Sequence, residues 1–169
     1  MDKLAFTKIS YGMFIITSVA DGKKGGQIAN TVFQITSDPA TIAISISKQN
    51  NTYQLLKTGK KFAASCLTEA APFEFIGKFG FRSSRDFDKF AGVKFITNAN
   101  SIPIVTDWTN AYFEADIISE FDTETHTVFL GKVTNAVVLN NEPSMTYSYY
   151  HNVKKGLTPK NAPTHNGNL

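Results

Sequence analysis

An antiparallel β-barrel with a few short helices is the architecture this sequence predicts. Three observations predict it: at least six short runs of β-type residues, turn signals between them, and connections too short for repeated parallel crossovers. A doubly wound nucleotide fold needs longer helices between its strands and is disfavoured. The 169 residues suit one domain that buries roughly two thirds of its unfolded surface. Hydrophobic residues at 42%, with 14 Phe, 6 Tyr and 1 Trp, supply a core, so a folded globule is expected rather than a disordered tail.

Met13 to Val19 reads as the first strand, and Asp21-Gly22 with Gly25-Gly26 marks a hairpin-type turn. Gln27 to Thr36 returns antiparallel until Asp38-Pro39 ends it. Over Thr41 to Lys48, Ile42, Ile44 and Ile46 alternate with Thr41, Ala43, Ser45 and Ser47, which predicts one core face and one small, polar face. Asn51 or Thr52 is placed to cap a helix running to about Thr58, with Gly59 ending it. Lys61 to Leu67 is the next strand, and Glu69 to Lys78 a second helix that tolerates Pro72 in its first turn. After the charged loop Gly80 to Lys89, strands are expected over Val93 to Thr97, Ala111 to Phe121 and Thr127 to Leu139. In the middle one, Phe113, Ala115 and Ile117 alternate with Tyr112, Glu114 and Asp116, as in a sheet with one buried face. Residues 152–169 contain two prolines, two glycines and no aromatic residue, and read as an extended tail after a domain of residues 1–151.

Composition narrows the function. Seventeen Lys+Arg against 14 Asp+Glu give +3, too little for duplex binding driven by counterion release, but an anionic small ligand stays open. The single cysteine, Cys66, excludes an intramolecular disulfide framework and any all-cysteine metal site within one chain; in the run FAASCL it reads as a packed thiol. His126, His151 and His165 lack ligand spacing, so no metal site is expected. The sequence has no P-loop, no GxSxG elbow, no HExxH, no EF-hand loop and no GxGxxG between a strand and a helix. The apolar run near the N-terminus, about five residues, is shorter than a signal-peptide core or a membrane span, which suggests a cytoplasmic protein with no membrane partner.

Four segments can carry chemistry, each with a plainer alternative. Ser45 and Ser47 lead into Lys48 and the helix start at Asn51-Thr52: a hydroxyl, an ammonium and free helix amides make a phosphate site, or else this is an ordinary capped helix with a solvated lysine. Gln27 to Thr31 can present backbone groups to a flat ligand, or is a polar strand end. In the segment Phe79 to Phe90, Arg82, Arg85 and Lys89 can meet an anion under a phenylalanine cover, or pair with Asp86 and Asp88 as a solvated loop. His126 can donate a hydrogen bond or exchange a proton near neutral pH, or be structural.

Four stretches taken in order, ISYGMFIITS (Ile9 to Ser18), GQIANTVFQITSDPATIAISISKQNNT (Gly26 to Thr52), FIGKFGFRSSRDFDKF (Phe75 to Phe90) and THTVFLGKV (Thr125 to Val133), resemble the flavin reductase-like domain family of FMN-binding split barrels. The resemblance implies a mainly β, antiparallel split barrel, FMN as cofactor, NADH or NADPH as electron donor, and a homodimer whose sites lie near the subunit interface. By the same resemblance Gln27, Ile28, Ala29, Asn30 and Thr31 lie along the isoalloxazine, and the stretch with Ser45, Ile46, Ser47, Lys48, Asn51 and Thr52 holds ribityl and phosphate. Phe79, Gly80, Phe81, Ser83, Arg85 and Asp86, with Lys89, close over the cofactor, and His126 matches a family histidine near flavin and nicotinamide, the catalytic candidate. Some members continue past a tail like Thr158 to His165 into a rubredoxin module with paired CxxC motifs. One cysteine cannot hold that iron centre, so the expected acceptor is separate: a rubredoxin-like protein, a flavodiiron protein, free flavin or another. The competing functions are a non-catalytic FMN carrier reduced by a protein donor, and a nucleic-acid-binding barrel, which the weak net charge argues against.

Overall fold

Strand β1 (Phe14–Ala20) turns through Asp21 (φ 50) and Gly22 (φ 72) into β2 (Lys23–Ala29). Both turn residues are in the left-handed region that a two-residue hairpin of this kind requires. The computed structural model describes residues 1–165. After a 3-10 helix at Lys3–Lys8 and the first hairpin come β3 (Val32–Ser37), β4 (Ala40–Ser47), α1 (Asn51–Gly59), β5 (Lys61–Leu67) and α2 (Phe73–Gly80). The chain continues through β6 (Phe95–Thr97), β7 (Pro103–Val105), β8 (Thr109–Asp122), β9 (His126–Val138) and α3 (Tyr147–Asn152). Among the described residues no helix is long and apolar enough to cross a membrane.

Seven strands form one antiparallel sheet in the order β2-β1-β5-β8-β9-β4-β3, and β6 pairs with β7 in a separate ribbon. The outermost strands, β2 and β3, are consecutive in the chain. The bend at Asn30–Thr31 joins them, and Ser45 N donates to Thr31 O at 3.1 Å while Thr31 Oγ1 donates to Ser45 O at 3.0 Å. The two-residue link holds the ends of the sheet close together, so the sheet curls, and among the described residues no strand pairing joins β2 to β3, which leaves it split. Ile16, Ile42, Ile44, Ile46, Leu56, Phe62 and Phe129 fill the barrel. A second cluster, with Ile15, Phe75, Ile76, Phe79 and Phe90, packs α2 against the outside.

The structure corrects several sequence expectations. Gln27 to Thr36 is two strands, because Ala29 pairs with β1 and Val32 with β4. Gly25 and Gly26 lie inside β2 rather than in the turn: a Cβ on Gly25 would sit 2.6 Å from Leu55 Cδ1, so the bare backbone lets α1 approach the strand. Gly59 does not terminate α1; Lys60 takes the left-handed position (φ 53), and Gly59 is required because a Cβ there would lie 2.2 Å from Val19 O. Helix α2 begins at Phe73, with Pro72 at its cap position, since Glu69 N is held by Pro143 O and Ala71 N by Thr68 O in a turn. The polar sides of two strands are buried as well. Ala43 and Ser47 are covered, as are Tyr112, which packs with Ile102 and Ile104 of the segment carrying β7, and Glu114, whose carboxylate accepts from Asn98 and Asn135. Strand β7, helix α3 and the 3-10 helix had no counterpart in the sequence reading.

Candidate functional site

A cleft of about 380 Å³ opens beside the split, a size suited to one small ligand. One wall is the end of β2 and the bend, Gln27 to Thr31; another is Ser45, Ser47 and the turn through Gln49 and Asn50; the start of α1 and the segment from Phe79 to Arg85 complete it. Strand β2 is an edge, so every second residue presents its N–H and C=O outward. Gly26 directs its carbonyl outward to Lys89 Nζ at 2.8 Å, and alternation gives the next outward pairs to Ile28 and Asn30. Met13, Ile28, Ile76 and Phe79 supply the apolar lining next to this edge.

The opposite end is polar and unsatisfied. Asn50 occupies the cap position of α1 but makes no capping bond, because its amide donates to Gln27 Oε1 at 3.1 Å and its carbonyl accepts from Asn161 Nδ2 at 2.5 Å. The first α1 amide with a partner is that of Tyr53, bonded to Asn50 O at 3.1 Å; those of Asn51 and Thr52 have no acceptor among the described residues. Ser84 Oγ, also on the cleft, is buried with no hydrogen-bond partner. Arg82 and Arg85 are exposed at the same rim. Orphan donors and cations at a helix N-terminus suit a dianion, and an apolar slot beside a backbone edge suits a flat ring, so the residues present fit a ligand with both parts.

Residues 6–158 match the family model described as the flavin reductase like domain. The chain belongs to the flavin reductase-like domain family. It is 48% identical over 164 residues to the high molecular weight rubredoxin of Moorella thermoacetica, covering 97% of this chain and 72% of that protein. It is also 48% identical over 162 residues to the ferric-chelate reductase (NAD(P)H) of Archaeoglobus fulgidus, with 96% of each covered. Among solved structures, the Streptomyces globisporus C-1027 NADH:FAD oxidoreductase SgcE6 in complex with NAD and FAD fragments aligns with a TM-score of 0.74 over 84% of this chain and 83% of that one, at 24% identity, a likeness of fold. Membership makes this chain a flavin-dependent oxidoreductase with the family's split barrel.

Not every residue singled out from the sequence reaches the cleft. Ile46 is wholly buried in the barrel, and Lys48, one residue past β4, sends Nζ to Thr123 O at 2.6 Å and towards Asp122 at 3.8 Å. Alternation explains both, since Ser45 and Ser47 occupy the cleft side. Lys89 does line the cleft, but it is 3% exposed and its Nζ bonds Gly26 O and Phe79 O, so it fastens the loop rather than presenting a free charge. Burial pushes its pKa down to about 8. Phe79 and Gly80 belong to α2; Phe81, Ser83 and Arg85 are on the loop at the cleft, and Asp86 is exposed outside its lining. Burial also raises the Cys66 thiol to about 11, in keeping with a packed side chain.

His126 opens β9 opposite Ser47, in a neighbouring recess. Its Nδ1 lies 2.8 Å from Thr125 Oγ1, and its Nε2 is buried without a hydrogen-bond partner. Burial lowers its pKa, offset in part by the main chain of Asn161. The sequence reading missed Gln49, Asn50, Ser84, Tyr147, Tyr150 and the segment from Leu157 to Thr164, all of which line the cleft. Asn50 carried a local signal, being the residue just before the helix start. The last segment carried none, because its role comes only from where it docks.

Proposed function

We propose that this flavin reductase-like chain binds FMN in the cleft, takes hydride from NADH or NADPH, and passes electrons to a separate acceptor, acting as a cytoplasmic homodimer. The observation that carries the assignment of the site is the set of unpartnered donors at the start of α1, at one end of an apolar slot. Bound FMN supplies the redox chemistry, as hydride acceptor and electron source. The amides of Asn51 and Thr52, Ser84 Oγ and the guanidinium groups of Arg82 and Arg85 hold the phosphate. Ser45 and Ser47 face the polyol, and the outward backbone groups of Ile28 and Asn30 meet the heteroatoms of the ring. Fixed dipoles there stabilise negative charge as it develops, without reorganising. Lys89 keeps the arginine-bearing loop against β2, and His126 helps to seat the nicotinamide.

The acceptor class is a rubredoxin-like or flavodiiron protein, free flavin, or a ferric chelate such as the one for which the Archaeoglobus relative is named. For the dimer, Phe33, Leu130, Val128 and Phe121 share the outer face of β3, β9 and β8 by register, with Phe33 55% and Phe121 69% exposed. Ser45 lies on the same face, so a second copy seated there borders the cleft.

Protein loaded with FMN and freed of excess flavin should be yellow, and anaerobic mixing with NADH or NADPH should bleach it. A folded protein that retains no flavin overturns the site assignment. Retained flavin that stays oxidised with both nucleotides replaces the reductase by a carrier fed from a protein donor.

A further inference from the structure

The chain after α3 turns back across the cleft. Gly156 N donates to Tyr150 O at 2.9 Å and Tyr150 OH donates to Leu157 O at 3.0 Å, which fixes the direction of departure. The hydroxyl of Tyr147 then engages the segment twice. Thr158 Oγ1 lies 2.5 Å from it, and Thr164 Oγ1 donates to it at 2.8 Å. Thr164 in turn accepts from Asn30 Nδ2 at 2.9 Å, and Asn161 reaches Asn50 at the start of α1. Residues 157–164 thus run from α3 to both the β2 end and the α1 end of the cleft.

This segment is also a partition. Asn161, Ala162 and Pro163 line the cleft on one side and the recess of His126 on the other, and the two spaces share Ser45, Ser47 and Gln49 as a common floor. The cleft, at about 380 Å³, has the volume of one ligand, and the adjoining recess, at about 820 Å³, has room for a second of nucleotide size. With the segment in place, His126 lines the recess and not the cleft, and its Nε2 is buried without a hydrogen bond although the main chain of Asn161 lies close enough to act on the ring. The segment has no helix or strand, its Leu157 is 74% exposed, and side-chain hydrogen bonds converging on Tyr147, Asn30 and Asn50 hold it down. Such a contact set opens locally far more readily than a core element.

We propose that residues 157–165 form a strap, latched by the hydroxyl of Tyr147, which lifts to join the His126 recess to the main cleft and so admits the nicotinamide nucleotide. Tyr147 is a positioning residue: it acts through the strap. The identity of the admitted ligand rests on the function proposed above. A ligand that needs the open form binds more weakly by the fraction open, so releasing the latch strengthens its apparent binding.

The test uses Tyr147→Phe, which keeps the ring, Thr164→Val, which removes the bridging hydroxyl, and a chain ending at Thr158. In flavin-free protein, carbethoxylation of His126 by diethyl pyrocarbonate, followed peptide by peptide in a mass spectrometer, should quicken about 3–10-fold in the two point variants, the loss of one or two net hydrogen bonds, and by at least as much in the shortened chain, which lacks the strap. In FMN-loaded protein, KM for NADH or NADPH should fall by a similar factor, with kcat within about twofold of the parent. Unchanged labelling of His126 in the shortened chain and in the folded point variants overturns the strap. Faster labelling with unchanged KM overturns it as the donor's gate. If neither parent nor variants retain FMN, the function proposed above fails, while the labelling rates still decide the strap.

Discussion

Lys89 Nζ donates to the main-chain carbonyl of Gly26 at 2.8 Å, fastening the loop that carries Arg82 and Arg85 to the edge strand of the cleft. A second bond to Phe79 O at 2.9 Å ties the same amine to the end of α2. One buried side chain thereby sets the spacing of three elements around the cleft.

Burial brings the Lys89 pKa down to about 8 from an ordinary value of 10.5. Below pH 8 both folded and unfolded chains carry the proton, and the folded state bears the whole cost of the buried charge. Between about pH 8 and 10.5 the unfolded chain binds more protons, so stability rises with pH across that window. Lys89→Met removes this titration. Urea unfolding of both proteins from pH 7.5 to 10.5 should show the wild type gaining on the variant by up to the order of 3 kcal/mol, roughly 1.4 kcal/mol per pH unit. A constant difference would refute the buried, depressed ammonium.

Arg85 and Lys48 separate the phosphate assignment from mere proximity in sequence. Arg85 lines the same cleft as Asn51 and Thr52, whose amides are unpartnered, whereas Lys48 is held outside it by Thr123 O and Asp122. Arg85→Gln should weaken FMN binding about tenfold, the worth of one charge-assisted contact, and flatten its dependence on salt. Lys48→Ala should change affinity less than about twofold, as expected on removing an exposed ion pair. Fluorescence titration of FMN at several ionic strengths decides it, and equal effects of the two variants would count against the site as drawn.

The barrel was legible in the sequence because period-2 alternation and turn residues are local signals. Lys61–Leu67 was found at its true bounds, and β1, β4, β8 and β9 within about two residues at each end. What escaped depends on distant partners. The break at Asn30–Thr31 is where a continuous β-type run exchanges β1 for β4, and nothing in its own residues marks it. Lys48 and Lys89 read alike as surface cations, yet one leaves the cleft by strand parity and the other is buried on two carbonyls. Residues 157–164 read as part of an extended tail from their prolines and lack of aromatics, whereas their hydroxyls and amides find partners on Tyr147, Asn30 and Asn50.

Glu114 is a polar residue on a face that turned out to be covered. It is 9% exposed, and Asn135 Nδ2 at 2.9 Å and Asn98 Nδ2 each donate to one of its carboxylate oxygens. Glu114→Gln keeps the shape but replaces one acceptor by an amide that faces another donor. Thermal or urea unfolding should show a loss of about 1–3 kcal/mol, the cost of a buried polar group left unpaired. Asn135→Ala and Glu114→Gln share that network, so their double variant should lose less than the sum of the two. Full additivity would mean that the amide and the carboxylate do not act together.

His126 sits at the outer recess, so its removal should touch the reaction and spare flavin retention. Hydride transfer to a flavin needs no obligatory acid or base, so His126→Gln should slow anaerobic reduction by about tenfold, below the 10²–10⁴ that a required proton-transfer group contributes. FMN affinity should match that of the wild type, because none of the proposed phosphate or ring contacts involves the imidazole. Burial, the larger influence on the ring, keeps its pKa below the ordinary 6.5. The unfolded chain therefore takes up this proton first as pH falls through 6.5, and the wild type should lose stability relative to His126→Gln on that side. The wild-type reduction rate should likewise fall at acid pH with an inflection absent from the variant. Release of all FMN by folded His126→Gln would move the imidazole into the flavin site itself, and identical pH profiles for the two proteins would remove it from the donor's path.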